Sequence, residues 1–265
     1  MMVTSGPELA TPPVAQWFGQ LFAHRRWIRR SHPFPHVYAR DVFVPEFYRR
    51  LAEELRRVRR ERPGLFETVT AGYSADGIRL TDLRDGPLGV FSSREWHDLV
   101  ARLGGAEATG DIEGSIHHHE PGSPFGWPHN DLNPAWFPGP PPDRDEVRLP
   151  DDTVDIKTGA RAPGVVARET VRAVAVLFYL GNPGWQPGDG GETALYDHVA
   201  DGATLPSVVL VPPLDNSLLL FEVTPRSWHT FAGNNVRDRN SVVMWVHRTR
   251  ADAERRWGGD KIVYW

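Results

Sequence analysis

The sequence predicts a mainly β protein, a double-sheet jelly roll or barrel with helices buttressing its N-terminal end. Three observations predict it. From about residue 64 onward, short apolar runs alternate with breaks rich in Gly, Pro, Asp and Asn. One of those runs, 171–180 (VRAVAVLFYL), is apolar on both faces at its end, as a central strand must be. Ahead of them, residues 45–60 carry apolar side chains at helical spacing.

Taken in order, residues 1–13 are polar and Pro-bearing and read as a loose tail. Residues 14–63 read as helical support. Within 14–30, Val14, Phe18, Leu21 and Phe22 fall at helical spacing before an arginine-rich end. Residues 36–43 read as a strand. Pro45 then opens a helix to about Arg60, with Phe47, Leu51, Leu55 and Val58 as its apolar stripe. The jelly-roll core is expected over 64–250. Its strands are 114–119, 171–180, 207–211, 217–223 and 241–247. Residues 133–170 interrupt it with a Pro-rich stretch and a charged run. A long irregular insertion of this kind is read as lid-like.

The 265 residues suffice for one sizeable core, or at most two small ones, and are read as a single domain. A net charge of -4 gives no electrostatic case for nucleic acid or a membrane surface as partner. No apolar run approaches membrane-spanning length, and no signal-peptide pattern opens the chain, so a cytoplasmic location is expected. Cysteine is absent, which excludes disulfides, thiolate metal sites and thiol catalysis. Any metal must therefore be held by His, Asp or Glu.

One set of residues meets that requirement. In His129-Asn130-Asp131 an imidazole and a carboxylate stand two apart, and in extended chain they share a face. An HxD alone is a weak signal. His229 follows an apolar strand and precedes another. Two histidines and one carboxylate form the facial set that leaves iron positions open. Arg239 enters the last strong strand ten residues later, and an arginine inside a barrel is costly unless it meets an anion. Arg237 is the rival for that role.

Together these segments resemble the 2-oxoglutarate- and iron(II)-dependent oxygenases, in particular their prolyl-4-hydroxylase-like branch. The resemblance rests on six pieces in order. They are His129-Asn130-Asp131, Phe178-Tyr179-Leu180, Gly190-Gly191-Glu192-Thr193, Leu219-Leu220-Phe221, His229 and Arg239-Asn240-Ser241. It covers roughly 33–247, with 133–170 poorly matched, and implies a double-stranded β-helix, the jelly-roll barrel that cupins also have.

The resemblance implies iron(II) on His129, Asp131 and His229, with 2-oxoglutarate as cosubstrate and O2 as oxidant. It implies that Arg239 grips the distal carboxylate, with Tyr179 adding a hydroxyl and Ser241 beside the arginine. Iron(II), one aspartate and a dianionic cosubstrate leave one negative charge, which one arginine neutralises. The family often has Tyr-x-Pro-Gly before the HxD, its tyrosine touching the cosubstrate. Here the segment is His119-Glu120-Pro121-Gly122. His119 either takes over that contact or leaves it unmade. His117 shares its face and would also point inward. Asp131 itself fits hydroxylases rather than halogenases, which have a small residue there.

The expected activity is hydroxylation of an unactivated C–H, with release of succinate and CO2. The expected substrate is a small molecule, amino-acid-derived or a specialised metabolite, free or carrier-protein-bound. Trp127, Trp136, Phe137 and Trp185 are candidates for an apolar wall over the iron. Arg161, Arg168 and Arg172 are candidates for a substrate carboxylate. Two other readings stand beside this one. One is a non-catalytic barrel that binds a ligand; the other is a cupin-like metal protein independent of 2-oxoglutarate.

Overall fold

A computed structural model describes residues 8–9, 14–199 and 209–264. The strands are β1 (Glu8–Leu9), β2 (Trp27–Arg30), β3 (His36–Ala39), β4 (Glu67–Thr68), β5 (Asp76–Arg79), β6 (Ile112–His119), β7 (Pro134–Pro138), β8 (Ala167–Tyr179), β9 (Thr193–Leu195), β10 (Val209–Val211), β11 (Ser217–Glu222), β12 (His229–Phe231) and β13 (Arg239–Thr249). The helices are α1 (Gln16–Gly19), α2 (Pro45–Glu61), α3 (Arg94–Gly104) and α4 (Arg250–Trp257).

The strands form two sheets. The larger runs β1-β2-β3-β11-β8-β13-β6-β5-β4, with β7 added beside the start of β8. The smaller is β10-β9-β12. Pairing is antiparallel throughout both sheets. This is the jelly-roll arrangement of two sheets, with β8 central as its apolar sequence requires.

Alternation along β8 divides its side chains between two cores. Val174, Val176 and Phe178 face a cluster built with α2 and α3, where Phe22, Phe43, Phe91 and Trp96 interlock. Ala175, Leu177 and Tyr179 face the other way, between the sheets. Helix α2 matches its expected bounds closely. Pro45 sits in its first turn, where a missing N–H costs nothing, and Phe47, Leu51, Leu55 and Val58 are buried. Helix α3 was not anticipated. Ser93 caps it by accepting from the Trp96 N–H, and Gly105 ends it in the left-handed region.

Three expectations need correction. The helix read over 14–30 is confined to α1; by Trp27 the chain is extended and paired with β3. Trp27 is fully buried there, so a solvent-facing helical end is replaced by a core-facing strand. The division at residue 63/64 is also not a boundary of the sheet, because β3 pairs directly with β11. And 133–170 is not irregular throughout. Its first part is β7, and Leu149 joins the helix-side core. Of the expected 1–13 tail only Glu8–Leu9 is described, as a strand on β2; residues 207–208 of the expected 207–211 strand lie outside the described residues. Among the described residues no helix is long and apolar enough to cross a membrane.

Candidate active site

A cavity of about 1050 Å³ opens between the sheets. Its wall includes residues on one face of β6 (Glu113, Ser115, His117) and of β13 (Arg239, Val243, Trp245). Period-two alternation puts each of these groups on one side. Residues 149–157 and 160–162, with Val165, border the cavity on the insertion side.

His129 and His229 are brought together by backbone. Each N–H donates to the other's carbonyl, at 3.0 and 2.9 Å, in an isolated antiparallel bridge. Their rings stand 4.3 Å apart between centroids. His129 Nδ1 faces the Trp127 carbonyl and His229 Nδ1 the Ser227 carbonyl, both at 2.9 Å. Donation from Nδ1 leaves each Nε2 as a lone pair for a metal.

Asp131 reaches the same point by a different route from the simple extended strand. Its φ is +64°, in the left-handed region, and the Asn130 side chain braces the turn by accepting from the Leu132 N–H. Asp131 Oδ1 lies 3.5 Å from His129 Nε2, and Oδ2 lies 3.3 Å from His229 Nε2. The three ligand atoms all fall within 4.8 Å of one another. Two neutral imidazoles and a carboxylate, with both remaining ring nitrogens tied to carbonyls, fit an iron(II) ion.

The carboxylate is held from behind. Trp245 Nε1 donates to Asp131 Oδ2 at 2.8 Å, and Arg172 Nη1 donates to Oδ1 at 3.2 Å. Burial alone would raise the Asp131 pKa, but His129, His229 and Arg172 hold it below the ordinary carboxylate value. Arg172 also donates twice to Glu113, at 3.0 and 2.7 Å, and stacks on the Trp245 ring at 3.5 Å. A register shift places it there. Val246 pairs Val174 while His247 pairs Arg172, so Ala173 is the extra residue and Arg172 shares the cavity face with Ala175.

Arg239 is 3% exposed, on β13. Its Nη1 donates to the Ser241 hydroxyl at 2.7 Å and its Nη2 to Thr193 Oγ1 at 3.3 Å. No carboxylate pairs with it among the described residues. Arg237 is exposed and pairs with Asp189, so it does not compete. Tyr179 does not border the cavity. Its hydroxyl meets Thr193 Oγ1 at 2.7 Å, and burial pushes its pKa up to about 12, against the opposing influence of Arg239 and Thr193. Ser241 is likewise fully buried behind Arg239.

His119 is fully buried and stacks on Phe231 at 3.8 Å, while His117 borders the cavity. Burial first, then Arg239, lowers the pKa of His117 to about 3 and of His119 to about 2, so both are neutral.

Several expected wall residues lie elsewhere. Of the four aromatics only Trp127 borders the cavity. Phe137 is core, Trp136 packs against Gly159, and Trp185 donates to the Gly190 carbonyl on the outer turn. Arg168 is engaged by Asp111 in two bonds, at 2.8 and 2.6 Å, and Arg172 by Glu113 and Asp131, so neither is placed as a substrate clamp. Arg161 does border the cavity, bonded to two backbone carbonyls. Thr193, Tyr73, Trp245 and Glu113 line the cavity without having been singled out. Thr193 ends the Gly-Gly-Glu-Thr turn, and Trp245 follows Arg239 by six on the same face; those signals were present in the sequence.

Residues 165–247 match the family model described as the 2OG-Fe(II) oxygenase superfamily. No curated protein matches the sequence. Solved structures share the fold, two prolyl hydroxylases among them. A Pseudomonas putida prolyl-4-hydroxylase is 20% identical, with a TM-score of 0.51 over 80% of this chain and 92% of that one. A prolyl hydroxylase from Trichoplax adhaerens, solved with a hypoxia inducible factor peptide fragment, is 17% identical. Its TM-score is 0.53 over 80% of this chain and 83% of that one. Residues 165–247 thus carry the pattern of the 2-oxoglutarate–iron(II) oxygenases, and the fold is that of the prolyl hydroxylases.

Proposed function

We propose that His129, Asp131 and His229 hold the iron, that Arg239 binds the distal carboxylate of 2-oxoglutarate, and that the enzyme hydroxylates an unactivated C–H. The observation that carries this reading is the juxtaposition of a three-atom ligand set with a buried arginine whose hydrogen-bond partners among the described residues are hydroxyls. Both face one cavity. Bound iron(II) supplies oxygen activation coupled to decarboxylation of the cosubstrate to succinate and CO2.

The chain's residues do the rest by position. Thr193 and Ser241 hold the two ends of the Arg239 guanidinium, fixing its plane before a carboxylate arrives. Tyr179 orients Thr193 and acts through it. Arg172 and Trp245 fix the Asp131 carboxylate so that it presents a set orientation. Leu177, Val243 and Trp245 give the cavity an apolar lining that excludes water around the reacting carbon.

For the substrate we propose a small molecule, amino-acid-derived or a specialised metabolite, free or presented on a carrier protein. The cavity, bordered by 149–157, 160–162 and Val165 on one side and by the smaller sheet on another, suits a compact molecule. A cytoplasmic setting accords with the lack of cysteine. The test is oxygen-dependent succinate formation by the iron-loaded protein, compared with Asp131→Ala and Arg239→Ala. Loss of turnover in both supports the assignment; full turnover in either overturns that residue's role.

A further inference from the structure

Tyr73 belongs to neither sheet face that forms the site. It sits in the loop between β4 and β5, closed by the Val69 N–H donating to the Ala75 carbonyl and the Tyr73 N–H to the Thr70 carbonyl. This loop carries its ring into the cavity. The ring meets His119, Trp127 and His117 edge-on, at centroid distances of 5.3, 5.7 and 6.2 Å. Gly126 makes room for it: a Cβ there would stand 3.2 Å from Tyr73 Cε2 and 2.9 Å from Thr230 Oγ1.

Tyr73 borders the same cavity as the two charged groups of the site, Arg239 and Asp131. Burial raises its pKa, Arg239 acts to lower it and Asp131 to raise it, so the phenol stays protonated and within electrostatic reach of both. Its one hydrogen-bond neighbour among the described residues is His119 Nε2, at 3.4 Å. At 3.4 Å this contact is long, and the phenol O–H is a rotor that can turn to a closer, charged acceptor. A buried carboxylate has more acceptor positions than the arginine's remaining N–H groups fill, since Arg239 already donates to Ser241 and Thr193.

We infer that Tyr73 contacts the cosubstrate directly, its phenol O–H donating to a carboxylate of bound 2-oxoglutarate in the cavity it shares with Arg239. The inference rests on the proposed cosubstrate site and adds a donor from a separate hairpin. It makes the β4–β5 loop part of cosubstrate binding.

The test is anaerobic equilibrium dialysis of the iron(II)-loaded protein against labelled 2-oxoglutarate, for wild type and Tyr73→Phe. The variant keeps the ring and its edge contacts and removes one hydroxyl. The expected result is a Kd for 2-oxoglutarate about 10- to 100-fold higher, the range for a hydrogen bond to a charged group. The Kd for iron(II) and the thermal midpoint should stay at wild-type values, which a merely structural role would not predict. A wild-type Kd for 2-oxoglutarate in Tyr73→Phe, with wild type binding normally, overturns the inference and leaves the site reading standing. Failure of wild type itself to bind overturns both.

Discussion

Arg172 donates to Asp131 across 3.2 Å while Glu113 holds the other side of its guanidinium. The charge that steadies the aspartate is thus itself fixed by a second carboxylate, and all three side chains are largely removed from solvent. Removing Arg172 leaves Glu113 buried without its partner. Arg172→Leu is expected to cost about 3–5 kcal/mol in metal-free stability. Iron(II) affinity should fall about 10- to 100-fold, because the ligand loses its outer support. Denaturant unfolding and chelator competition measure the two. Glu113→Leu added to Arg172→Leu should recover part of the stability and none of the iron affinity.

Trp245 performs two jobs that one substitution separates. Its indole N–H donates to Asp131, and its ring carries Arg172. Trp245→Phe retains a ring and removes the donor. A loss of about 1.5–3 kcal/mol of metal-free stability is expected, the worth of a hydrogen bond to a charged group. Iron(II) should also dissociate faster, which stopped-flow chelation would register. An unchanged dissociation rate would remove the indole from the support of Asp131.

The Gly-Gly-Glu-Thr turn positions Thr193 by backbone shape. Gly190 has φ +73°, and a Cβ there would stand 2.4 Å from the Asn234 carbonyl oxygen. Gly190→Ala should cost at least about 1–2 kcal/mol from the left-handed conformation alone. It should also weaken 2-oxoglutarate binding by displacing Thr193 from Arg239. Dialysis against 2-oxoglutarate reads the second effect; unchanged binding would show that Thr193 does not set the arginine.

The metal-free protein should lose stability in mild acid. Burial depresses His117, His119 and His247 to about 3, 2 and 3 in the folded state. Unfolded histidine titrates near 6.5. Below that pH the unfolded chain takes up protons that the folded chain refuses. Stability is therefore complete above about pH 6.5 and falls as pH drops toward the folded values. Each histidine contributes about 1.4 kcal/mol per pH unit across that window. Urea unfolding at pH 7.5, 6.0 and 5.0 measures the slope, and His247→Asn should reduce it by about one proton.

Much of this architecture was legible in the sequence, for local reasons. Helix α2 announces itself through Pro45 and its buried stripe, and β8 through an apolar run that only a central strand tolerates. The order of His129, Asp131, His229 and Arg239 marked the residues that the fold brings to one cavity. What was not legible depends on tertiary context. Val14, Phe18, Leu21 and Phe22 have helical spacing, yet Phe22 bridges to Phe43 and Trp27 enters a strand, because β3 offers an edge to pair with. The inward turn of Arg172 depends on one extra residue at Ala173, which no periodicity in the sequence records. Tyr73 reaches the site from a hairpin 56 residues before His129 in the chain, through a gap left by Gly126.

On the proposed assignment, one cavity binds iron(II) and 2-oxoglutarate together, on His129, Asp131, His229 and Arg239. The most direct measurement is the visible absorption spectrum of the anaerobic iron(II)-loaded protein before and after 2-oxoglutarate is added. A new charge-transfer band, lost in Asp131→Ala and reached only at much higher 2-oxoglutarate in Arg239→Ala, is the predicted result. Absence of the band in wild-type protein that demonstrably holds iron(II) would show that 2-oxoglutarate does not chelate iron in this cavity.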